Sequence, residues 1–135
     1  MREYVRSETE ALLRRLAFQV SHAAKSPDVE AIHDLRVAIR RFSRCLRVFA
    51  PFYPYKSWKK IRRRLDGLME MAGAVRDLDI ALELLGAARV PPQAAVMNRA
   101  REERNRANRE FMREIRLWKS QAYSKKWRSA LDLSS

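Results

Sequence analysis

The chain has 135 residues, about one domain, and 47% of them are hydrophobic, which excludes the disordered class and leaves enough apolar material for a real core. Its 29 Lys and Arg against 16 Asp and Glu give a net charge of +13, so the expected partner is a polyanion: nucleic acid, an acidic membrane surface or polyphosphate. The single cysteine, Cys45, rules out an intramolecular disulfide and any zinc site built from several cysteines, and no run of about 18 apolar residues offers a membrane span.

The start, Met1-Arg2-Glu3-Tyr4, lacks the apolar stretch of a signal peptide, which makes the cytoplasm the default location. A first helix is predicted from about Arg2 to Lys25, with Val5, Leu12, Leu16 and Ala23 at helical spacing. Ser26-Pro27 reads as a restart, Ser26 as N-cap and Pro27 in the first helical position, with Asp28 and Glu30 in a first turn that favours negative charge. The second helix should run to about Ala50, where Pro51 and Pro54 end it. Its apolar seam is Ile32, Leu35, Ile39, Phe42, Leu46 and Phe49. A third helix is expected from Tyr55 to Met71 with Trp58, Ile61, Leu65, Leu68 and Ala72 inward. Gly73 should bend or break the chain before a short fourth helix, about Val75 to Ala88. After Pro91-Pro92 a long helix from Gln93 to Lys119 turns Ala107, Phe111, Ile115 and Trp118 inward. Residues 121–135 form a tail with at most one more turn around Trp127 and Leu131. Short links between long helices imply antiparallel neighbours, hence an all-α bundle of four to five helices over residues 1–120.

The placement of charge says more than its amount. On the second helix His33, Arg36, Arg40, Arg44 and Arg47 are three or four residues apart. At 100° per residue they fill an arc of roughly 80°, centred roughly 130° from the apolar seam. Arg41 flanks this ladder, and no acid occurs between Asp34 and Asp66 to relieve its self-repulsion. A guanidinium presents a rigid fork of donors that matches phosphate oxygens, so the ladder suits anion capture better than a solvated face. His33 alone would more often be structural, yet it shares the arginine face and can donate to a phosphate oxygen. Lys56, Lys60 and Arg63 share a face of the third helix roughly opposite its seam. Arg106, Arg109, Arg113 and Arg116 lie opposite the seam of the last long helix, but Glu102, Glu103, Glu110 and Glu114 are interleaved, the pattern of an ordinary solvated surface. In Arg76-Asp77-Leu78-Asp79 the acids suit a helix start, and Arg76 either meets an anion or pairs with them. Cys45 reads as a small apolar residue on a helix flank. His22 and His33 fall on different helices, so no metal site is expected, and no cofactor either.

The run Ile32-His33-Asp34-Leu35-Arg36-Val37-Ala38-Ile39-Arg40-Arg41, continuing to Leu46-Arg47-Val48-Phe49, resembles the signature helix of the CHAD family. The stretch from Leu65 to Leu85, with Gly73-Ala74-Val75-Arg76-Asp77-Leu78-Asp79, is similar to that family's second motif. The resemblance implies a helical bundle that binds inorganic polyphosphate without catalysis, often at polyphosphate granules. It makes His33, Arg36, Arg40, Arg41 and Arg44 phosphate ligands, with Lys60, Arg63 and Arg76 in support; Arg47 and Lys56 extend the same basic surface. The usual family domain is roughly twice as long, with two four-helix halves facing across a basic channel. This chain resembles one half, so either two copies pair as a homodimer to complete the channel or the chain is a fragment.

Two other classes compete. A nucleic-acid-binding helical protein could use the same ladder along a backbone, but the ladder holds no Asn, Gln or Ser to read base edges and few aromatics for stacking. An enzyme acting on phosphate compounds would need more than is present: there is no P-loop, and Asp77 and Asp79, the only candidates to hold a metal, read better as structural.

Overall fold

The computed structural model describes residues 1–133. Five α-helices and a single 3₁₀ turn make up the fold, with no strand among the described residues: α1 Arg2–Lys25, α2 Val29–Val48, the 3₁₀ turn Ala50–Phe52, α3 Tyr55–Ala87, α4 Ala95–Ser120 and α5 Tyr123–Ala130. The all-α bundle expected from periodicity is what forms. No described helix is long and apolar enough to cross a membrane.

The boundary between α1 and α2 differs from expectation for a local physical reason. The cap of α2 is Asp28, not Ser26: its carboxylate accepts from the Ala31 amide at 2.8 Å. Ser26 instead closes α1, its amide donating to the His22 carbonyl at 2.9 Å, and Pro27 lies in the link. Asp28 outcompetes Ser26 because a charged acceptor at the cap also meets the positive end of the helix dipole.

The larger difference is α3. Gly73 neither bends nor breaks it; one helix of 33 residues replaces the two short ones expected. Glycine in a helix interior costs about 1 kcal/mol relative to alanine. Against that, Leu65, Leu68, Ala72 and Val75 lie on one buried stripe that passes straight through Gly73, and each large side chain buried contributes roughly 1.5–3 kcal/mol. Continuity keeps that stripe in register, so packing wins. Asp77 and Asp79 therefore sit in mid-helix, not in a first turn.

The core is the shared apolar filling of α1 to α4: Leu13 and Leu16, Leu35, Ile39, Phe42 and Leu46, Ile61, Leu65 and Leu68, then Phe111 and Ile115. On α1 the buried line is Val5, Thr9, Leu13, Leu16, Val20 and Ala23, with Leu12 only half-buried. On α2 the seam holds, although Ile32 and Phe49 are half-buried at its ends. The C-terminal segment belongs to the same core. Ala122 adopts φ 51°, reversing the chain after α4, and α5 folds back so that Trp127 stacks on Phe42 (centroids 6.1 Å) and meets Trp118 edge-on (5.0 Å). Leu131 and Leu133 are buried beyond it, and Arg128 reaches Glu10 of α1 at 3.0 Å. Past this core the α3–α4 hairpin projects: from Arg76 to Glu110 only Met97 is buried.

One polar cluster lies inside. The Thr9 hydroxyl donates to the Val5 carbonyl at 2.7 Å, so it must accept from both the Tyr53 hydroxyl and the Cys45 thiol. Burial pushes the Cys45 thiol up from its ordinary value of 9.0, and burial does the same to the Tyr53 phenol from 10.0. Both groups are neutral when protonated, so their raised folded values add stability that is intact below the unfolded values and is lost as pH rises through the folded ones. Thermal stability should accordingly fall as pH climbs past about 9, and Cys45→Ala with Tyr53→Phe should flatten that fall. Gly73→Ala checks the account of α3: a Cβ there meets nothing within 4 Å, so denaturant unfolding should show about 0.5–1 kcal/mol of added stability.

Candidate polyanion-binding face

Helix α2 turns its arginines outward because its other side is fully used. With Leu35, Ile39, Phe42 and Leu46 facing inward, the residues between them must face solvent: His33, Arg40, Arg44 and Arg47 are exposed and Arg36 is half-buried. From His33 to Arg47 the ladder extends roughly 21 Å at 1.5 Å per residue. Among the described residues none of these side chains, nor Arg41, lies within 4.0 Å of a carboxylate; the ion pairs are Arg6–Asp132, Arg14–Glu10, Arg104–Asp79 and Arg128–Glu10. The ladder is thus an array of uncompensated cations.

At its N-terminal end the ladder opens into a cleft of about 620 Å³ between α2, the middle of α3 and α4. His33 and Arg36 enter from α2, Arg76 and Asp79 from α3, Arg104 and Asn108 from α4, over a floor of Ile32 and Val75. Asp79 is held by Arg104 through an Nε–Oδ1 contact of 2.9 Å. Arg76 pairs with neither acid: Asp79 is engaged by Arg104, and Arg76 stands exposed in the cleft with no carboxylate within 4.0 Å among the described residues. Arg36 adds a second unmet need. Its Nε is buried and has no acceptor in the protein, a state that costs about 1–3 kcal/mol.

The other basic residues separate into distinct places. Arg41 and Arg44 line a shallow groove between α1 and α2, beside Tyr4, Glu8 and Phe49. Lys56, Lys60 and Arg63 are exposed on the side of α3 away from its buried stripe and do not line the cleft. Arg62, which periodicity did not single out, is half-buried on α3. It stacks over the Trp58 ring at 5.5 Å, and the Trp58 indole donates to the Leu46 carbonyl at 2.6 Å. Its Nε, like that of Arg36, is buried without a partner. Arg104 and Asn108 were also missed. The interleaved acids of α4 made its cations look like solvated surface, yet Arg104, Ala107, Asn108 and Phe111 follow the spacing of the inward stripe. Arg106, Arg109, Arg113 and Arg116 are exposed, as expected of that face.

A family model described as the CHAD domain matches residues 8–134. The chain belongs to the CHAD family. No curated protein and no solved structure matches it. The CHAD match takes in both resembling motifs and also the α5 region, whose Tyr123, Trp127, Leu131 and Leu133 complete the core.

Arg36 offers a direct check that this face is kept for binding and not for stability. Arg36→Met removes the orphaned N–H and one rung of repulsion while preserving length and packing. Unfolding free energy should stay level or rise by about 1 kcal/mol while retention on a polyanionic resin falls. A loss of stability would mean that Arg36 supports the fold.

Proposed function

We propose that the protein is a non-enzymatic binder of inorganic polyphosphate, with α2 as the principal contact surface. The observation that carries this reading is the row His33, Arg36, Arg40, Arg44 and Arg47, held outward by a packed seam and free of carboxylate partners. Membership of the CHAD family supports it, because the resemblance that led to the family implies the same ligand.

Each rung offers a guanidinium fork at a spacing of roughly 5–6 Å. A flexible chain of phosphates can place non-bridging oxygens on successive rungs, and each contact is a charge-assisted hydrogen bond. Binding also relieves the repulsion among the arginines themselves. No catalytic step is assigned: Asp28 caps α2 and Asp79 holds Arg104. A second copy could enclose the bound chain from the other side. Two chains of +13 repel one another, so such pairing should appear only once the polyanion has neutralised them.

The experiment is a competition binding assay at several salt concentrations, with long-chain polyphosphate and RNA at matched phosphate. Polyphosphate should win, and the logarithm of its affinity should fall linearly and steeply with the logarithm of salt. Arg36→Glu with Arg40→Glu should weaken binding by roughly a hundredfold, two charge-assisted contacts having been lost. RNA binding as tightly as polyphosphate would favour the nucleic-acid reading, and orthophosphate release would overturn the non-enzymatic one. Mass in solution with and without polyphosphate reads the pairing.

A further inference from the structure

The ladder has a direction. From Arg47 back to Arg36 its face presents only cations, and then the cleft confronts any bound chain with two unpaired carboxylates, Asp28 and Glu30 at the start of α2, while Asp79 on α3 is neutralised by Arg104. A polyanion lying along α2 can approach this point, but continuing past it would run it over Asp28 and Glu30, which are exposed and have no cation within 4.0 Å among the described residues. A chain that stops there avoids the conflict.

The donors in the cleft suit a stop. An internal phosphate of a linear polyphosphate has two non-bridging oxygens, whereas the terminal one has three and a further ionisation. It therefore needs donors from several directions. Along the rest of the ladder donors come from one helix. In the cleft they converge from three: His33 and Arg36 from α2, Arg76 from α3, Asn108 from α4. Neither Arg36 nor Arg76 has a carboxylate within 4.0 Å among the described residues, while Arg104 is fixed in the wall by Asp79. Acids and donors together define a dead end that favours a phosphate terminus over a passing segment.

We propose that the cleft is an end-binding site, which takes the terminal phosphate of a linear polyphosphate while Arg40, Arg44 and Arg47 hold the residues that follow. This inference rests on the polyphosphate reading and adds to it a polarity: the chain is bound by one end, and short linear oligophosphates are ligands in their own right.

Calorimetry on the full chain at low salt provides the test, with linear tripolyphosphate against cyclic tetrametaphosphate, which carries comparable charge and has no end. The linear ligand should bind at least roughly tenfold more tightly, the difference expected when a site's charged donors lose their matched acceptor. Arg76→Ala should erase that preference. Arg109→Ala, which removes the same charge from the exposed face of α4, should leave it intact. Glu30→Gln, at an exposed position in the first turn, should narrow the gap by making the cleft more tolerant of the ring. Equal affinity for linear and cyclic ligands, or a preference that survives Arg76→Ala, overturns the end site while long-chain binding leaves the polyphosphate reading standing. If long-chain polyphosphate itself does not bind, that reading falls and the end site with it.

Discussion

Everything in this molecule depends on α2 doing two opposed things at once. Its inner face must pack tightly enough to hold a row of like charges on its outer face. The magnitudes allow it. Two charges 6 Å apart in a water-like dielectric repel by about 0.7 kcal/mol, and salt screens them further. Burying each of Leu35, Ile39, Phe42 and Leu46 contributes roughly 1.5–3 kcal/mol. A single stripe of core residues therefore outweighs the whole ladder. The surplus lets the outer face dispense with the acids that a lone helix would need.

The rest of the bundle serves that face. Helix α1 covers α2 on one side, and its Thr9 draws Cys45 of α2 and Tyr53 of the following link into one buried polar cluster. On the other side α3 docks through Trp58, whose indole caps the last turn of α2 at the Leu46 carbonyl. These contacts set how far the ladder stands from its neighbours. They also bring Arg62 and Arg76 alongside from α3, while α4 supplies Arg104 and Asn108 across the cleft. The basic face of one helix thereby borders a cleft lined from three.

The long α3 makes that cleft. Had the helix broken at Gly73, the segment carrying Arg76 and Asp79 would have started a new element with its own direction. Because the stripe from Leu65 to Val75 stays continuous, Arg76 projects beside His33 and Asp79 meets Arg104. Asp79, which with Asp77 suggested a helix start, is instead a brace in mid-helix. The distinction is physical: a first-turn acid is stabilised by the helix dipole, while Asp79 is stabilised by one guanidinium on a neighbouring helix.

Sequence alone determined the class of fold, the two faces of α2 and the absence of acids along the ladder, because periodicity and charge order are properties of one helix and do not depend on what packs against it. Those facts, with the two motifs, were also enough to point to the family. Tertiary structure decided the rest. It carried α3 through Gly73, a contest between local preference and longer-range packing, while the choice of Asp28 over Ser26 as the cap was settled locally. It placed the C-terminal Trp127 and Leu131 in the core, where a tail or one short helical turn was expected. It gathered Arg36, Arg76, Arg104 and Asn108 from three helices while leaving Lys56, Lys60 and Arg63 outside the cleft. Which side chains of different helices face one another depends on the rotation and register of packed neighbours, and no pattern within a single helix records either.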